Sequence, residues 1–480
     1  MNKDIKLNYI ASLTYQIINV LVQIILLRYL SVVIGSNGIG IQSFTNSIVL
    51  YFTMVSSLGI NWLGQKEIAQ NLNNKPLLTK IFWQLFFLKF TWSVIVFIAY
   101  IVLIISSNLY SIYYIVLIIT YIANIIDITW FYQGIEKFGV IALRNTIIKL
   151  LGMILVLCLV KNENDVVLYI LLISLSTFLG NLSLWINLKK ELQKPSLQNM
   201  DFRHYIRPAI QYFIPTVATT LYLTMDKTMI GVITGDEYEN GYYEQAIQIV
   251  NMLKSVVLSY NAVMISRMTY IFSMNKQKEI VDNINMSTQL ITYIGWGTIF
   301  GLLALHKDFT CLYFGGGNTE INSILLMFTP IILIVGISNM IESHIITPLN
   351  QRSTGNKIVL WGAGLNLFIN MFTIPMYGAI GAAMSSVLSE IFIMFCYIKH
   401  SNKMVLWSTL INVSWRKLIA AIIMYVSICI IKQSFSATYI TFLIEIFIGI
   451  IIYTIILYML KDDLVLGFLC KNKQIKKGEN

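Results

Sequence analysis

The middle of the chain contains the stretch TLYLTMDKTMIGVITG (residues 220–235). It continues a long apolar run, yet it places Asp226 and Lys227 side by side near its centre. Charged side chains are costly in the hydrocarbon of a bilayer, so those that occur there face protein or a wet cavity and mark functional sites. The stretch therefore predicts a membrane helix whose two charges serve the function of the protein.

The whole chain has the composition of a polytopic membrane protein. Of its 480 residues, 57% are hydrophobic and only 12% are charged, and the mean hydropathy is +0.71. A spanning helix needs about 20 mostly apolar residues. Cutting the sequence at its polar loops gives about fourteen such stretches, near 8–30, 41–60, 82–105, 112–133, 146–160, 166–187, 210–233, 242–264, 287–306, 321–345, 358–375, 378–398, 416–432 and 439–460. The sequence predicts an all-α protein with about 14 transmembrane helices.

The distribution of Lys and Arg predicts the orientation. With the N-terminus inside, about 27 basic residues fall in the inside loops and the tail, and only Lys161, Lys307 and Lys432 fall outside. Because cytoplasmic loops carry the excess of basic residues, both termini are predicted to be cytoplasmic. The net charge of +11 then reflects topology and anionic lipid headgroups, and no nucleic-acid partner is expected.

No cofactor is expected from the motifs of the chain. The five cysteines have no C-x-x-C spacing and the four histidines are dispersed, which argues against a disulfide framework or a zinc site. No phosphate-binding G-x-x-x-x-G-K-[ST] loop occurs. Transport would therefore draw on a gradient or on the downhill path of the substrate, and coupling to protons or to sodium stays open.

The chain also repeats itself. Two stretches about 202 residues apart run from apolar residues through a Gly-polar turn into a polar helix: VVIGSNGIGIQSFTNSIV (32–49) and GVITGDEYENGYYEQAIQIV (231–250). Six helices per repeat give parallel repeats, a known transporter plan. We predict an N-terminal lobe at 1–188 (helices 1–6), a cytoplasmic linker at 189–208 and a C-terminal lobe at 209–400 (helices 7–12). Two further helices and a basic cytoplasmic tail would occupy 401–480.

Polar side chains form stripes on predicted helices 1, 2, 7 and 8. Their spacing of three or four residues places each set on one helix face. Lipid offers these groups no hydrogen bonds, so they face protein or a wet cavity. The stripes predict a polar cavity between the two lobes, and the alternative is that they hold helices together. The candidate site residues among them are Gln16, Asn19, Gln23, Asn46, Gln248 and Asn251.

The charged candidates are Arg28, Asp226, Lys227, Glu244 and Lys254. Asp226 and Lys227 point to different sides of one helix, which makes them poor partners for each other. Lys227 continues a polar stripe and is predicted to face the cavity. Asp226 needs another partner, for which Arg28 and Lys254 are candidates. A purely structural ion pair is the alternative.

Two other charged or polar residues in apolar segments are predicted to lie at the membrane surface. Lys89 lies about two turns into predicted helix 3 and would extend its ammonium to the inside surface. His344, next to the end of predicted helix 10, would be interfacial.

Three stretches resemble a known family. GAGLNLFINMFTIPMYGAIGAAMSSVLSE (362–390) resembles a signature of the multidrug/oligosaccharidyl-lipid/polysaccharide flippase superfamily. Within it, Pro375 is predicted to break the helix, and Gly378, Gly381, Ala382 and Ala383 to allow the two flanking helices to approach closely. WFYQGIEKFGVIALRN (130–145) and DKTMIGVITGDEYENGYYEQAIQIVNM (226–252) are similar to the polysaccharide-exporter branch, the Wzx-type flippases.

The resemblance implies a V-shaped bundle of two lobes that opens alternately to the two sides. It implies export of undecaprenyl-diphosphate-linked oligosaccharide repeat units to the outer leaflet of the bacterial inner membrane, for O-antigen or capsule, by a protein that is not an enzyme. Arg28, Lys227 and Lys254 would bind the diphosphate, and the amides would bind sugar hydroxyls.

The implied partners are the lipid-linked oligosaccharide, membrane lipids, and the polymerase and chain-length regulator of the same pathway. A MATE-type drug or cation antiporter and a lipid II-type flippase are the alternatives. The antiporter is disfavoured because predicted helix 1 has no acidic residue after Asp4.

Overall fold

The computed structural model describes residues 3–107, 109–193, 201–316, 319–401, 404–405, 407–433 and 438–467, with only the backbone for residues 3–17. These described residues are almost entirely helical and contain no strand, which confirms the all-α prediction. They form two compact units, Met1–Glu244 and Gln245–Asn480. The lobe and linker boundaries stay predictions, and linker residues 194–200 and tail residues 468–480 lie outside the described residues.

Within its described residues, the first unit contains nine α-helices and the start of a tenth. They are α1 (Lys3–Val33), α2 (Gly35–Ser57), α3 (Ile60–Gln70), α4 (Lys75–Ser106), α5 (Ser111–Ile125), α6 (Thr129–Gly134), α7 (Phe138–Leu159), α8 (Val166–Glu191), α9 (Arg203–Thr234) and the beginning of α10 (Glu237–Ser273). The closest packing joins α5 with α8, α1 with α7, and α2 with α9. The pairing of α2 with α9 positions the candidate site.

The second unit contains the rest of α10 and six more helices. They are α11 (Gln277–Phe314), α12 (Thr319–Phe328), α13 (Ile331–Ile341) with a π-helical turn at Glu342–Ile346, α14 (Arg352–His400), α15 (Trp407–Lys432) and α16 (Tyr439–Met459). Here α11 packs against α13 and α15, and α15 packs against α16.

Each predicted apolar stretch lies mainly on helix, with short breaks inside 41–60, 112–133 and 321–345. The number of spans is a separate matter. Among the described residues, ten helices are long and apolar enough to cross a membrane. The number rises to eleven if Ile18–Val33 and Gly35–Ser57, which meet at a bend of 120°, form one span. The prediction treats these two as separate spans, and the range given for α14 contains two predicted stretches that meet at a non-helical residue, Gly378. The count of fourteen stays a prediction.

The fourth predicted span is broken between α5 and α6, and side chains replace the missing helical hydrogen bonds. A helix end leaves its last carbonyls without intrahelical partners. Three donors satisfy carbonyls at this break: Asn181 bonds Ala123 (2.8 Å), Trp185 bonds Ile126 (2.8 Å) and Lys89 bonds Asp127 (3.1 Å). Lys89 is fully buried, so the prediction that it reaches the surface is wrong. Its ammonium donates to the carbonyl of Asp127, just after the C-terminus of α5, where a cation is favoured.

The WFYQG part of the 130–145 motif forms a buried aromatic core. Trp130, Phe131 and Tyr132 on α6 are almost completely buried. The Trp130 ring stacks on Phe82 of α4, with centroids 5.4 Å apart. A methyl group added at Gly64 of α3 would lie 2.3 Å from the Trp130 ring. The motif therefore holds α3, α4 and α6 together.

The 362–390 signature forms a tight hairpin inside α14. Gly378 has φ +55° and ψ −132°, which is not helical, and the chain turns back there. The predicted break at Pro375 is thus three residues early, because a proline removes one N–H but Gly378 alone adopts the positive φ that the turn requires. A methyl group at Gly381 would lie 2.2 Å from the Thr373 carbonyl oxygen. The predicted close approach of the two halves is confirmed.

Candidate functional site

The opening stretch belongs to α9, and a glycine turn folds α10 back against it. Gly235 ends α9 with φ +63°, a conformation that glycine adopts at low cost, and α10 begins at Glu237. Asn240 of α10 donates from Nδ2 to the carbonyl of Lys227, at 2.7 Å. The turn thereby brings residues 13 positions apart in sequence into contact.

Lys227 and Glu244 form an ion pair across this turn. Lys227 Nζ lies 2.6 Å from Glu244 Oε2. The lysine side chain retains 24% of its exposure, while that of the glutamate retains 8%. Ser43 of α2 donates to the same carboxylate oxygen at 2.8 Å. The cation is therefore the accessible member of the pair, and the buried carboxylate is held by two donors from two helices.

Asp226 is bonded on a different side of α9. Its Oδ2 accepts a hydrogen bond of 2.6 Å from the hydroxyl of Tyr243, and both residues are buried. A charge-assisted hydrogen bond of this kind is stronger than one between neutral groups. The prediction that Asp226 and Lys227 serve different partners fits this geometry, and each partner comes from α10.

Hydroxyl groups connect α2 to α9 one turn from the ion pair. The Thr228 hydroxyl lies 2.9 Å from Ser47 Oγ and 2.9 Å from the Tyr51 hydroxyl. Ser43, Ser47 and Tyr51 recur every four residues and so lie on one face of α2. The predicted polar face of this helix, which includes Asn46, is the neighbouring one. The four-residue recurrence was the signal that could have found these contacts.

Backbones approach closely where α2 meets the start of α10. A methyl group added at Gly40 would lie 1.8 Å from the carbonyl oxygen of Glu237, and one at Gly241 would lie 1.9 Å from that of Ser36. The two contacts are reciprocal, since an offset of 201 residues converts Ser36 into Glu237 and Gly40 into Gly241. The same offset converts Ser43 into its partner Glu244. This symmetry supports the repeat inferred from the sequence.

The remaining candidates are spread over the two units. In the first unit, Arg28, Asn19 and Gln23 on α1 and Asn46 on α2 are half-buried, and the side chain of Gln16 lies outside the described residues. In the second unit, Lys254 and Gln248 on α10 are half-buried and Asn251 is exposed. Their role in substrate binding stays a prediction.

Sequence comparisons give three matches. The family model described as "Polysaccharide biosynthesis protein" matches residues 5–272. A "Putative O-antigen transporter" of Escherichia coli (strain K12) is 23% identical over 377 residues, covering 78% of this chain and 90% of the relative. A protein of the same name from Shigella dysenteriae is 22% identical over 277 residues, covering 56% of this chain and 68% of the relative.

Solved structures also share the fold, among them the following two. The lipid II flippase MurJ, in an inward closed conformation, has a TM-score of 0.75 at 16% identity, over 96% of this chain and 99% of that one. An inward-facing MATE family multidrug resistance transporter of the MOP superfamily has a TM-score of 0.59 at 12% identity, over 83% and 96%. At these identities the likeness concerns the fold alone.

Proposed function

The chain belongs to the polysaccharide biosynthesis protein family, and from this premise we propose that it is a flippase for undecaprenyl-diphosphate-linked oligosaccharides. It is a multi-pass bacterial inner-membrane protein with the fold of the MOP superfamily, and its relatives are transporters rather than enzymes. The proposal adds the direction, from the cytoplasmic to the outer leaflet, and the destination of the sugar in O-antigen or capsule. The names of the two O-antigen transporter relatives support it.

One observation of the structure carries the proposal: a partly exposed cation, Lys227, is held by a buried carboxylate, Glu244, across the turn between α9 and α10. A lipid-linked sugar diphosphate must exchange water for protein contacts in the membrane, and its charge requires a cation. Lys227 offers one, because its ammonium is the accessible half of the Lys227–Glu244 pair. Glu244 stabilises the cation while no substrate is bound, and the diphosphate takes over part of that role when it binds.

The sugar part is bound by amides and hydroxyls of the same unit. Asn19, Gln23 and Asn46 are half-buried and can donate to and accept from sugar hydroxyls. Arg28 is proposed as a second cation for the diphosphate, and Lys254, Gln248 and Asn251 stay predicted substrate contacts. The chain would work with the polymerase and the chain-length regulator of its pathway, with both termini in the cytoplasm.

Deletion of the gene, followed by location of the lipid-linked oligosaccharide, tests the proposal. An impermeant sugar-reactive probe on intact spheroplasts should label the oligosaccharide in wild-type cells and fail to label it in the deletion strain. The intact protein should restore labelling, and Lys227→Gln at equal expression should not. Lys276→Gln is the matched control, because Lys276 pairs with Glu279 on the surface and should rescue fully.

Unchanged labelling and unchanged surface polysaccharide in a deletion strain without a second flippase would refute the proposal. Dye efflux would then test the drug antiporter. Accumulation of the peptidoglycan precursor on the inside, with normal export of the oligosaccharide, would instead identify a lipid II-type flippase.

A further inference from the structure

The second unit contains a polar cavity where α15 begins and α16 ends. Its volume is about 220 Å³, and it is lined by the N-terminal part of α15, by Gln289 of α11, and by Asp462 and Asp463, which follow the end of α16. Both α15 and α16 are long and apolar enough to cross a membrane, and a helix that crosses a bilayer ends near its surface. The cavity thus lies at the end of two candidate spans, where lipid headgroups are found.

A fully buried ion pair lines this cavity. Lys417 Nζ lies 2.8 Å from Asp462 Oδ2, and the two side chains retain 1% and 3% of their exposure. The ammonium also donates to the carbonyl of Val413, at 3.1 Å, and the other oxygen of Asp462 accepts from the N–H of Leu464. Because an ammonium has three N–H groups, Lys417 has one that bonds no described residue and can donate to a ligand.

Arg416 lies next to this pair, and one edge of its guanidinium has no partner among the described residues. Nη1 donates to the carbonyl of Lys461 at 2.9 Å and lies 3.9 Å from the Asp463 carboxylate, which is too long for a hydrogen bond. Nε is buried and unbonded. Nε and Nη2 together form the edge that binds two oxygens of a phosphate or carboxylate at once. Because buried donors without partners are rare in proteins, this edge indicates an oxyanion ligand.

The cavity also presents a carboxylate to a cation. Asp463 retains 78% of its side-chain exposure, and its carboxylate only approaches Arg416 at 3.9 Å. The two cations and the two carboxylates that line the cavity have a formal charge of zero together. An anion alone would satisfy Arg416 but would face the Asp463 carboxylate, and like charges repel each other. The charge pattern therefore favours a zwitterion with a phosphate and an ammonium.

Exposed aromatic and apolar side chains beside the cavity indicate where the rest of such a ligand lies. Trp415 and Tyr458 retain 44% and 54% of their exposure, and Arg416 Cζ lies 5.5 Å from the centre of the Trp415 ring. Tryptophan and tyrosine are enriched at the level of lipid headgroups. Farther along the same two helices, Ile419 and Ile455 are exposed to 39% and 51%, as is typical of side chains that contact acyl chains.

We propose that this cavity binds the headgroup of a phospholipid in which a phosphate is joined to a primary amine, as in phosphatidylethanolamine. The phosphate accepts hydrogen bonds from Arg416 and Lys417, the ammonium donates to Asp463, and the acyl chains lie along α15 and α16. No covalent bond is made or broken. The inference does not rest on the proposed function, because headgroup binding can be measured on protein that transports nothing.

Headgroup chemistry distinguishes this ligand from two other membrane lipids. Phosphatidylcholine has the same phosphate, but its quaternary ammonium has no N–H to donate to Asp463. Phosphatidylglycerol has a phosphate and no cation, so its net negative charge is repelled by the Asp463 carboxylate. Each of these two lipids therefore satisfies only the Arg416 side of the cavity.

Native mass spectrometry of the full-length protein in detergent, titrated with each of the three lipids, tests the site. The wild type should bind phosphatidylethanolamine several-fold more tightly than phosphatidylcholine or phosphatidylglycerol. Arg416→Gln should lose most of this affinity, and Arg416→Lys, which keeps the charge but lacks the two-pronged edge, should recover only part of it. Asp463→Asn should bind phosphatidylethanolamine and phosphatidylcholine equally. The controls Lys399→Gln and Asp282→Asn, at exposed positions of α14 and α11, should keep the wild-type preference.

The ratio of the affinities for phosphatidylethanolamine and phosphatidylcholine is measured within each protein, so a partly unfolded variant does not imitate a loss of preference. Equal binding of all three lipids by the wild type would overturn the proposal, and so would an unchanged preference in both Arg416→Gln and Asp463→Asn. Inorganic phosphate and soluble glycerophosphoethanolamine, added at the concentration of the lipid, should not displace phosphatidylethanolamine. Displacement by either compound would assign the cavity to a free phosphate compound and refute the lipid site.

Discussion

Asp226 and Lys227 illustrate what adjacent charges do in an apolar helix. The two side chains point to different sides of the helix and do not pair with each other. Asp226 accepts a hydrogen bond from Tyr243, and Lys227 forms an ion pair with Glu244, in each case 17 positions later in the sequence. The polar face of α9 could be predicted from the sequence, because the helical period fixes it. The partners could not, because they depend on the turn at Gly235 and on the rotation of α10 about its own axis.

The Lys227–Glu244 pair predicts a specific pattern of stability changes. Removing one member of a fully buried ion pair costs roughly 3–5 kcal/mol, and removing both charges costs less. Because Lys227 retains 24% of its side-chain exposure, we expect smaller losses here, with the larger one for Lys227→Met, which leaves the buried Glu244 carboxylate without its cation. Lys227→Met and Glu244→Gln should each lower the melting temperature of the purified protein, and the double variant should recover most of it. All three should fail to rescue export, because each lacks the cation or the carboxylate that positions it.

The surface ion pair Lys276–Glu279 is the control for the Lys227 and Glu244 variants. Its side chains are half exposed, and exposed ion pairs contribute little to stability. Lys276→Met and Glu279→Gln should leave both melting and export unchanged. A Lys227→Met/Glu244→Gln double variant that exports normally would show that the ion pair is structural only.

At the scale of elements, the break between α5 and α6 depends on side-chain donors. Trp185→Phe keeps most of the ring but removes the N–H that bonds Ile126, and an unsatisfied buried carbonyl costs roughly 1–3 kcal/mol. Trp83→Phe is the matched control, because Trp83 lies in the same aromatic cluster, 6.3 Å from Trp185. Its Nε1 is buried without a hydrogen-bond partner in the described structure. Trp185→Phe should lower the melting temperature more than Trp83→Phe, and equal losses would contradict the prediction.

The glycine contact between α2 and α10 predicts a second effect at this scale. Gly40→Ala places a methyl group against the Glu237 backbone, which cannot rotate away as a side chain can. Overpacking of this kind costs roughly 1–3 kcal/mol or more, so melting temperature and rescue of export should both fall. Gly364→Ala, on an open face of α14 with nothing within 4 Å, should leave both unchanged. If Gly40→Ala behaved like Gly364→Ala, the close contact would not matter.

The elements show where sequence patterns suffice and where they do not. Apolar stretches located the helices because the membrane requires about 20 apolar residues per span. The interfacial position of His344 stays a prediction. The break at Gly378 rather than at Pro375 and the burial of Lys89 were not predicted. Each of these features depends on a hydrogen-bond acceptor or a backbone conformation that the tertiary structure supplies. Neither can be read from a single sequence. The reciprocal glycines at Gly40 and Gly241 were visible only as part of a weak repeat.

For the molecule as a whole, the distribution of Lys and Arg over the loops predicts the orientation of the protein in the membrane. An exporting flippase must have a fixed orientation, so that one face lies towards the cytoplasm and the other towards the outside. The bias of Lys and Arg between the loops sets that orientation. The described structure places the two loops needed for a test at exposed sites: Asn73 lies between α3 and α4, and Asn164 lies in the 3-10 turn before α8. The charge bias assigns the first loop to the cytoplasm and the second to the outside.

Cysteine labelling on spheroplasts decides this assignment. In a protein whose five native cysteines are replaced by serine, an impermeant maleimide should label Asn164→Cys on intact spheroplasts. It should label Asn73→Cys only after permeabilisation, because the membrane separates that loop from the reagent. Both variants must still rescue export, which shows that the labelled protein is folded. The reverse pattern would place the termini outside, and the basic residues of the loops would then need another explanation than topology.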